Sequence, residues 1–75
     1  MIYTDHMGHL VSDTSLDELH AFANRLGLRR QWFQGLPEHR HPHYDLTTPK
    51  ARSRALNAGA VLVDPRQLLR RMVLS

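Results

Sequence analysis

Hydrophobic positions recur along this chain with two different spacings, and these spacings predict an alternation of short strands and helices. Two or three adjacent apolar residues between polar turns are typical of short strands. Apolar residues three and four positions apart are typical of helices that bury one face. The predicted strands are residues 2–4, 10–11, 31–34, 43–47 and 61–63, and the predicted helices are residues 16–26, 49–58 and 65–73. We therefore expect a single small α/β domain over residues 1–75, with a short mixed or mostly parallel sheet and two to three helices.

The first predicted helix has the clearest end signals. Its apolar face consists of Leu16, Leu19, Phe22, Ala23 and Leu26. Ser15 and Glu18 have the spacing of a capping box, in which each side chain accepts a hydrogen bond from the backbone N–H group of the other residue. Gly27 can adopt the left-handed conformation that often ends a helix. We expect this helix to pack against the sheet through its apolar face.

Proline marks the start of the other two helices. Thr48 and Asp64 are each followed by proline, and a capping side chain followed by proline is a common helix start. Residues 43–63 then form a strand, a helix and a strand, a unit that usually joins neighbouring parallel strands with a right-handed crossover. Ligands of open α/β sheets bind at the carboxyl ends of such strands, where this chain has polar residues. These residues are Asp5, Asp45, Thr47 and Thr48.

Side chains should alternate between two faces within the strand predicted at residues 43–47. Tyr44 and Leu46 would point to one face, and His43 and Asp45 to the other, about 7 Å apart along the strand. A histidine and an aspartate on one face can share a metal ion, or the carboxylate can orient the imidazole for proton transfer.

The composition limits the possible chemistry. The chain has no cysteine, so disulfides and thiolate metal ligands are excluded, which is compatible with a cytoplasmic location. A domain of 75 residues has a small core and is stabilised either by tight packing or by burial of an apolar face in a homo-oligomer. Residues 1–5 do not resemble a signal peptide, and no apolar run approaches the roughly 20 residues of a membrane span, so we expect no membrane partner.

The chain has ten basic and seven acidic residues, and every basic residue except Lys50 is an arginine. Arginine matches phosphates and carboxylates in two-point geometry, although an arginine preference is also typical of GC-rich genomes. The arginines of the last third are Arg52, Arg54, Arg66, Arg70 and Arg71. A nucleic-acid-binding protein would place such arginines on phosphates and stack bases on Trp32, Phe33 and Tyr44.

Six histidines in so short a chain indicate a polar site, because histidine binds metals and transfers protons near neutral pH. They are His6, His9, His20, His39, His41 and His43. Candidate metal ligands are His43, Asp45, His20 and Asp13, a donor set that suits zinc or manganese. Other interpretations stay open. His39 and His41 can belong to a polar loop at residues 35–42, and His20 can be a hydrogen-bonded residue at the edge of the helix face. Asp5 and Asp13 can be turn or capping residues.

The order of several short motifs resembles a known family. The motifs are Tyr3-Thr4-Asp5, His9-Leu10, Asp13, Asp17-Glu18-Leu19-His20, Ala23, Gly27, Trp32-Phe33-Gln34, His43-Tyr44-Asp45 and Gly59-Ala60-Val61. Together they resemble the small phage and bacterial family of unknown function DUF4031, and the likeness extends to about Val63. His6 stands where that family usually has a second acid. The resemblance implies a phage, prophage or bacterial setting but no activity. It also implies that its polar motif residues gather into one pocket, namely His9, Asp13, His20, Gln34, His43, Tyr44 and Asp45.

These observations lead to the hypothesis of a protein that binds a small phosphate-bearing ligand at a His/Asp pocket and, in its stronger form, hydrolyses it. The catalytic residues would be His43, Asp45, His20 and His9, with His43 as general base or metal ligand. The ligand-binding residues would be Gln34, Tyr44, Asp5, Lys50 and Arg52, the last two meeting negative charge near the start of the second helix. Two alternatives are a basic nucleic-acid-binding accessory protein and a phage-encoded inhibitor that acts by protein–protein interaction.

Overall fold

The computed structural model describes residues 1–35 and 42–71, and these form a mixed sheet flanked by helices. The strands are β1 (Ile2–Thr4), β2 (His9–Ser12), β3 (Tyr44–Asp45) and β4 (Val61–Leu62), and the helices are α1 (Leu16–Arg25), α2 (Pro49–Asn57) and α3 (Pro65–Arg71). The α/β class and the predicted helices are therefore confirmed, and residues 72–73 of the last predicted helix lie outside the described residues. None of the helices in the described residues is long and apolar enough to cross a membrane. His39 and His41 lie outside the described residues.

The strand order in the sheet is β3-β2-β1-β4. β2 is antiparallel to both β1 and β3, whereas β4 is parallel to β1. β3 and β4 therefore run in the same direction at opposite edges of the sheet. The prediction that the unit at residues 43–63 joins neighbouring strands was wrong, because the hairpin of β1 and β2 occupies the centre. Its residues Leu10 and Val11 are fully buried, as central strands require.

The strand predicted at residues 31–34 was also wrong. A 3₁₀ turn, Arg30–Trp32, takes its place, and Gln34 forms only a single backbone bridge with His43. The two adjacent aromatic residues have different environments: Phe33 packs against the core, whereas Trp32 is 48% exposed. β3 is correspondingly shorter than the strand predicted at residues 43–47.

The two faces of the sheet are covered unequally. On one face, α1 and α2 build the larger core with Ile2, Leu10, Leu19, Phe22, Ala23, Leu26, Tyr44, Leu46, Ala55 and Ala60. On the other face, α3 packs against β1 and β2 and buries Leu68 on Tyr3 and Val11. Leu69, the next residue of α3, is 51% exposed. Because α3 covers the β1–β2–β4 part of its face, side chains from the β2–β3 end stay half-exposed.

The predicted helix caps are present, with one correction. Thr48 and Asp64 accept hydrogen bonds from the backbone N–H groups of the third residues beyond them, as predicted for helix starts. Ser15 accepts from the N–H group of Glu18 at 3.0 Å, but the reciprocal half of the capping box is missing. The Glu18 carboxylate instead accepts the Ser12 hydroxyl at 2.6 Å, which joins the start of α1 to the end of β2.

Candidate functional site

His9, His43 and Asp45 meet on the half-exposed face at one edge of the sheet, and we call them the ligand cluster. His9 opens β2 and stands opposite Asp45 of the antiparallel β3. His43 precedes β3 and projects to the same face as Asp45, because side chains alternate along a strand. One donor atom from each of the three side chains lies within 4.8 Å of the others. The two imidazole rings meet edge to face, with centroids 5.3 Å apart.

The spacing inside the ligand cluster suits a shared metal ion. His43 Nε2 lies 3.3 Å from Asp45 Oδ1. Two ligands that are each about 2.0–2.1 Å from a tetrahedral zinc ion stand about 3.4 Å apart. The side chains of His43 and Asp45 are 17% and 40% exposed, so an ion can reach them from solvent. The ligand cluster therefore has donor atoms at a spacing that suits a metal ion, and it is accessible to that ion from solvent.

A buried carboxylate orients His9. Asp5, at the end of β1, has a completely buried side chain. It accepts hydrogen bonds from the backbone N–H groups of Met7 (3.1 Å) and His9 (3.0 Å), and lies 3.0 Å from His9 Nδ1. Because a carboxylate only accepts, Nδ1 must carry the proton and Nε2 keeps a lone pair for a ligand. Asp5 thus fixes both the position of the ring and its tautomer.

Hydrogen bonds keep Asp5 ionised despite its burial. Burial alone would raise the pKa of Asp5. The hydrogen bonds from the His9 ring and from the backbone N–H groups of His9 and Met7 outweigh that effect and hold this pKa below its ordinary value. A permanent negative charge therefore lies directly behind His9.

Backbone and amide contacts fix the rest of the ligand cluster. Gly8, in the turn between β1 and β2, has a φ of 92° and accepts a hydrogen bond from the Leu46 N–H group at 2.6 Å. A Cβ atom at Gly8 would stand 2.5 Å from the Leu46 carbonyl oxygen, so only glycine allows this close approach. Gln34 Nε2 donates to Asp45 Oδ2 at 2.6 Å. The contact at Gly8 locks the turn before His9 to the chain that follows β3.

His20 and Tyr44 form a second group on the opposite face of the sheet. The His20 Nδ1 atom lies 2.7 Å from the Tyr44 hydroxyl oxygen, and Phe33 packs on both rings with centroid distances of 4.5 and 5.5 Å. We call His20, Phe33 and Tyr44 the aromatic cluster. Burial, with the nearby charge of Arg30, lowers the pKa of His20, and burial raises the pKa of Tyr44. The expectation that His20 joins His43 in one pocket is corrected, because Tyr44 and His43 are successive residues that point to opposite faces.

Three other candidate residues are not members of the ligand cluster. Asp13 follows the far end of β2, where its carboxylate binds the amino group of Met1 at 2.9 Å. Hydrogen bonds from that amino group and from Thr14 hold the pKa of Asp13 below its ordinary value. Lys50 is exposed in the first turn of α2, and the aliphatic part of Arg52 lies beside Gly8. The functional roles of these residues stay predictions.

A groove of about 610 Å³ adjoins the ligand cluster, with Asp45 on its wall. It runs between the end of α1, the 3₁₀ turn and the start of α2. Its lining residues are Leu26, Gly27, Leu28, Gln31, Trp32, Phe33, Gln34, Asp45, Thr47, Thr48, Ala51 and Arg54. The sequence interpretation placed Arg54 among the arginines of the nucleic-acid-binding alternative and not in the His/Asp pocket. Its spacing from Ala51, three positions away on α2, was the available signal, since residues at that spacing share one side of a helix.

Comparison with known proteins identifies a family but no activity. The chain matches the model of the family described as "Protein of unknown function (DUF4031)" over residues 2–75, and it therefore belongs to that family. The resemblance carried by the sequence motifs is thereby confirmed. No match was found among curated proteins or among solved structures.

Proposed function

We propose that this member of the DUF4031 family binds a divalent metal ion, preferably zinc, and hydrolyses a small phosphate-bearing ligand beside it. The ion would be held by the ligand cluster. The observation that carries the proposal is the approach of the donor atoms of His9, His43 and Asp45 to within 4.8 Å of one another. Two imidazoles and a carboxylate are a donor set of catalytic zinc sites, in which three protein ligands leave one position open.

The surroundings of the ligand cluster support a metal site over an incidental surface contact. Metal-bound histidines commonly donate their second N–H group to a carboxylate, which fixes the ring and strengthens the ligand. Asp5 and His9 have this arrangement, and the carboxylate is fully buried. Gln34 restrains the second oxygen of Asp45 in a comparable way. A surface histidine pair without a function would not need two buried or bonded partners to orient it.

The proposed reaction is the hydrolysis of a phosphate ester. The oxygen of a water molecule bonds to phosphorus while the ester P–O bond breaks, and the departing oxygen takes up a proton to give an alcohol and free phosphate. A bound divalent ion would supply an activated water molecule and offset the negative charge of the phosphate. Asp45 would hold the ion through Oδ1, while Gln34 keeps its Oδ2 directed away. Arg54, on the groove wall, would meet the remaining phosphate charge.

Calorimetric titration of zinc into chelator-treated protein tests the binding step. We expect one equivalent of zinc to bind the native chain and the His43→Ala variant to lose that binding. His6→Ala is the matched control, because His6 is exposed and lies outside the ligand cluster. Unchanged zinc binding in both His43→Ala and Asp45→Ala would contradict the proposed site.

Release of nitrophenol from p-nitrophenyl phosphate tests the hydrolysis step. We expect turnover with zinc-loaded protein, none after chelation, and none in His43→Ala at any zinc concentration. Turnover that survives chelation would contradict metal-dependent hydrolysis. Zinc binding without turnover of any phosphate ester would leave a metal-binding protein and refute the hydrolytic part.

A further inference from the structure

We infer that the groove beside Asp45 binds a nucleobase, so that the phosphate-bearing ligand is a nucleoside monophosphate. This inference rests on the proposed function, because the phosphate would lie at the ligand cluster. The groove and the ligand cluster share Asp45, which places the groove next to the proposed ion. The remaining question is which chemistry fits the rest of the groove.

The apolar lining of the groove suits a flat aromatic group. Trp32 stands on its wall with 48% of its surface exposed, which is unusual for the largest apolar side chain of a small domain. Phe33 is occupied by its contacts with the aromatic cluster. The guanidinium carbon of Arg29 lies over the Trp32 ring, 5.9 Å from its centroid, so a base would stack on the other face of this ring. Leu26 and Leu28 add apolar walls. Exposed aromatic side chains in such grooves stack on bases, whatever the base, because every base has a π-face.

The polar residues of the groove suit both a phosphate and a base edge. Arg54 offers a planar guanidinium group, which contacts phosphate in two-point geometry. The Thr48 hydroxyl accepts a hydrogen bond from the Ala51 N–H group and keeps its own proton for donation. Gln31, next to Trp32, can pair with a base edge through its amide. This combination fits a base joined to a phosphate better than a phosphate alone.

The size of the groove agrees with this ligand class. Its volume of about 610 Å³ falls within the range of small-molecule sites, roughly 300–1,000 Å³. Inorganic phosphate or a three-carbon phosphate would leave the Trp32 end empty. A nucleoside monophosphate reaches from a stacking surface to a phosphate site through its ribose.

Tryptophan fluorescence gives a direct test, because Trp32 is the only tryptophan of the chain. The zinc-loaded protein is titrated with adenosine 5′-monophosphate, adenosine and ribose 5-phosphate. We expect the monophosphate to change the Trp32 emission and to bind about tenfold more tightly than ribose 5-phosphate, as stacking of one base provides. Equal affinity for the two phosphates would overturn the inference.

Two substitutions, measured by calorimetry, distinguish the contribution of Trp32 to ligand affinity from that of Arg54. Trp32→Ala should weaken adenosine 5′-monophosphate about tenfold and leave ribose 5-phosphate unchanged. Arg54→Ala should weaken both phosphates and leave adenosine unchanged. Arg66→Ala, an exposed arginine of α3 outside the groove, is the matched control and should change none of them. No effect of Trp32→Ala on any ligand would overturn the inference.

Zinc binding is measured first on the same samples, which keeps the two proposals distinct. Bound zinc with no response to adenosine 5′-monophosphate would overturn the nucleotide inference and leave the metal site intact. A response to single-stranded oligonucleotides alone would also overturn it, in favour of nucleic-acid binding. Absence of zinc binding would refute the proposed function and the nucleotide inference together.

Discussion

The ligand cluster and the aromatic cluster show how neighbours decide what a histidine does. Both contain a residue of the same short segment, since His43 and Tyr44 are successive and the strand pleat sends them to opposite faces. His43 meets a carboxylate and a second imidazole on a half-exposed surface. His20 meets the Tyr44 phenol and the Phe33 ring against the core. The first environment places a carboxylate oxygen 3.3 Å from an imidazole nitrogen, an arrangement that favours a cation.

The electrostatic contrast between the clusters is equally clear. Asp5, kept ionised by its hydrogen bonds, lies behind His9 and favours a positive charge in the ligand cluster. In the aromatic cluster, burial and the charge of Arg30 lower the pKa of His20 and so favour the neutral ring. One cluster is suited to bind a cation, and the other to remain neutral and support the fold.

The largest expected difference is in zinc affinity. His43→Ala should lower the affinity more than about a hundredfold, since loss of a direct ligand exceeds the tenfold to hundredfold cost of losing a supporting partner. His20→Gln should leave it within about twofold. Calorimetric titration of both variants measures the difference. Similar losses of zinc affinity in the two variants would contradict the proposal that zinc binds the ligand cluster and not the aromatic cluster.

Removing the charge of Asp5, whose carboxylate contacts His9, should have a smaller effect on zinc affinity. Asp5→Asn removes the charge but keeps a similar shape, and should lower zinc affinity about tenfold to a hundredfold. Asp17→Asn, at an exposed position in the first turn of α1, is the control for loss of one negative charge. The same titration reports both variants. Equal, small effects would indicate that general charge, rather than orientation of His9, explains the contribution of Asp5.

Tyr44→Phe should affect stability without affecting zinc. It removes the hydroxyl that pairs with His20 at 2.7 Å and should lower the free energy of unfolding by about 1 kcal/mol. Urea denaturation measures this change, and a parallel zinc titration should match that of the native chain. A zinc affinity reduced as far as in His43→Ala would show that the two faces are coupled.

The smallest expected effect is a pH dependence of stability in the metal-free protein. Because burial lowers the pKa of folded His20, the unfolded chain takes up a proton first as the pH falls below about 6.5. The free energy of unfolding therefore decreases as the pH falls below about 6.5, where the unfolded state binds more protons. His20→Gln should make this decrease shallower. An identical slope in both proteins would contradict a neutral, buried His20.

Acidification also affects Asp5, but in a lower range. Its pKa is held below the ordinary aspartate value, so its contribution to stability is complete above about pH 4 and is lost as the pH falls further. The contributions of His20 and Asp5 to the free energy of unfolding are therefore lost in different pH ranges.

Local structure could be predicted from the sequence because its causes are local. Thr48 and Asp64 mark helix starts through contacts with the third residue beyond them, and the alternation of His43 and Tyr44 follows from the strand itself. The 3₁₀ turn was missed because adjacent aromatic residues are equally typical of a strand, and only tertiary packing separates Phe33 from Trp32.

The site could be predicted only in part because its assembly depends on distant pairing. His9 stands opposite Asp45 through the register of β2 and β3, which no spacing along the chain encodes. The position of His20 at the edge of its helix face allowed either side of the sheet. The groove depends on three elements that meet only after folding, so Arg54 had no more weight in the sequence than its neighbours.

Anomalous diffraction at the zinc edge, from crystals grown with one equivalent of zinc, tests the proposed metal site most directly. We expect a single anomalous peak about 2.0–2.2 Å from one nitrogen of His9, one nitrogen of His43 and one oxygen of Asp45. A peak elsewhere, or no peak in protein that folds normally, would contradict a metal centre at the ligand cluster.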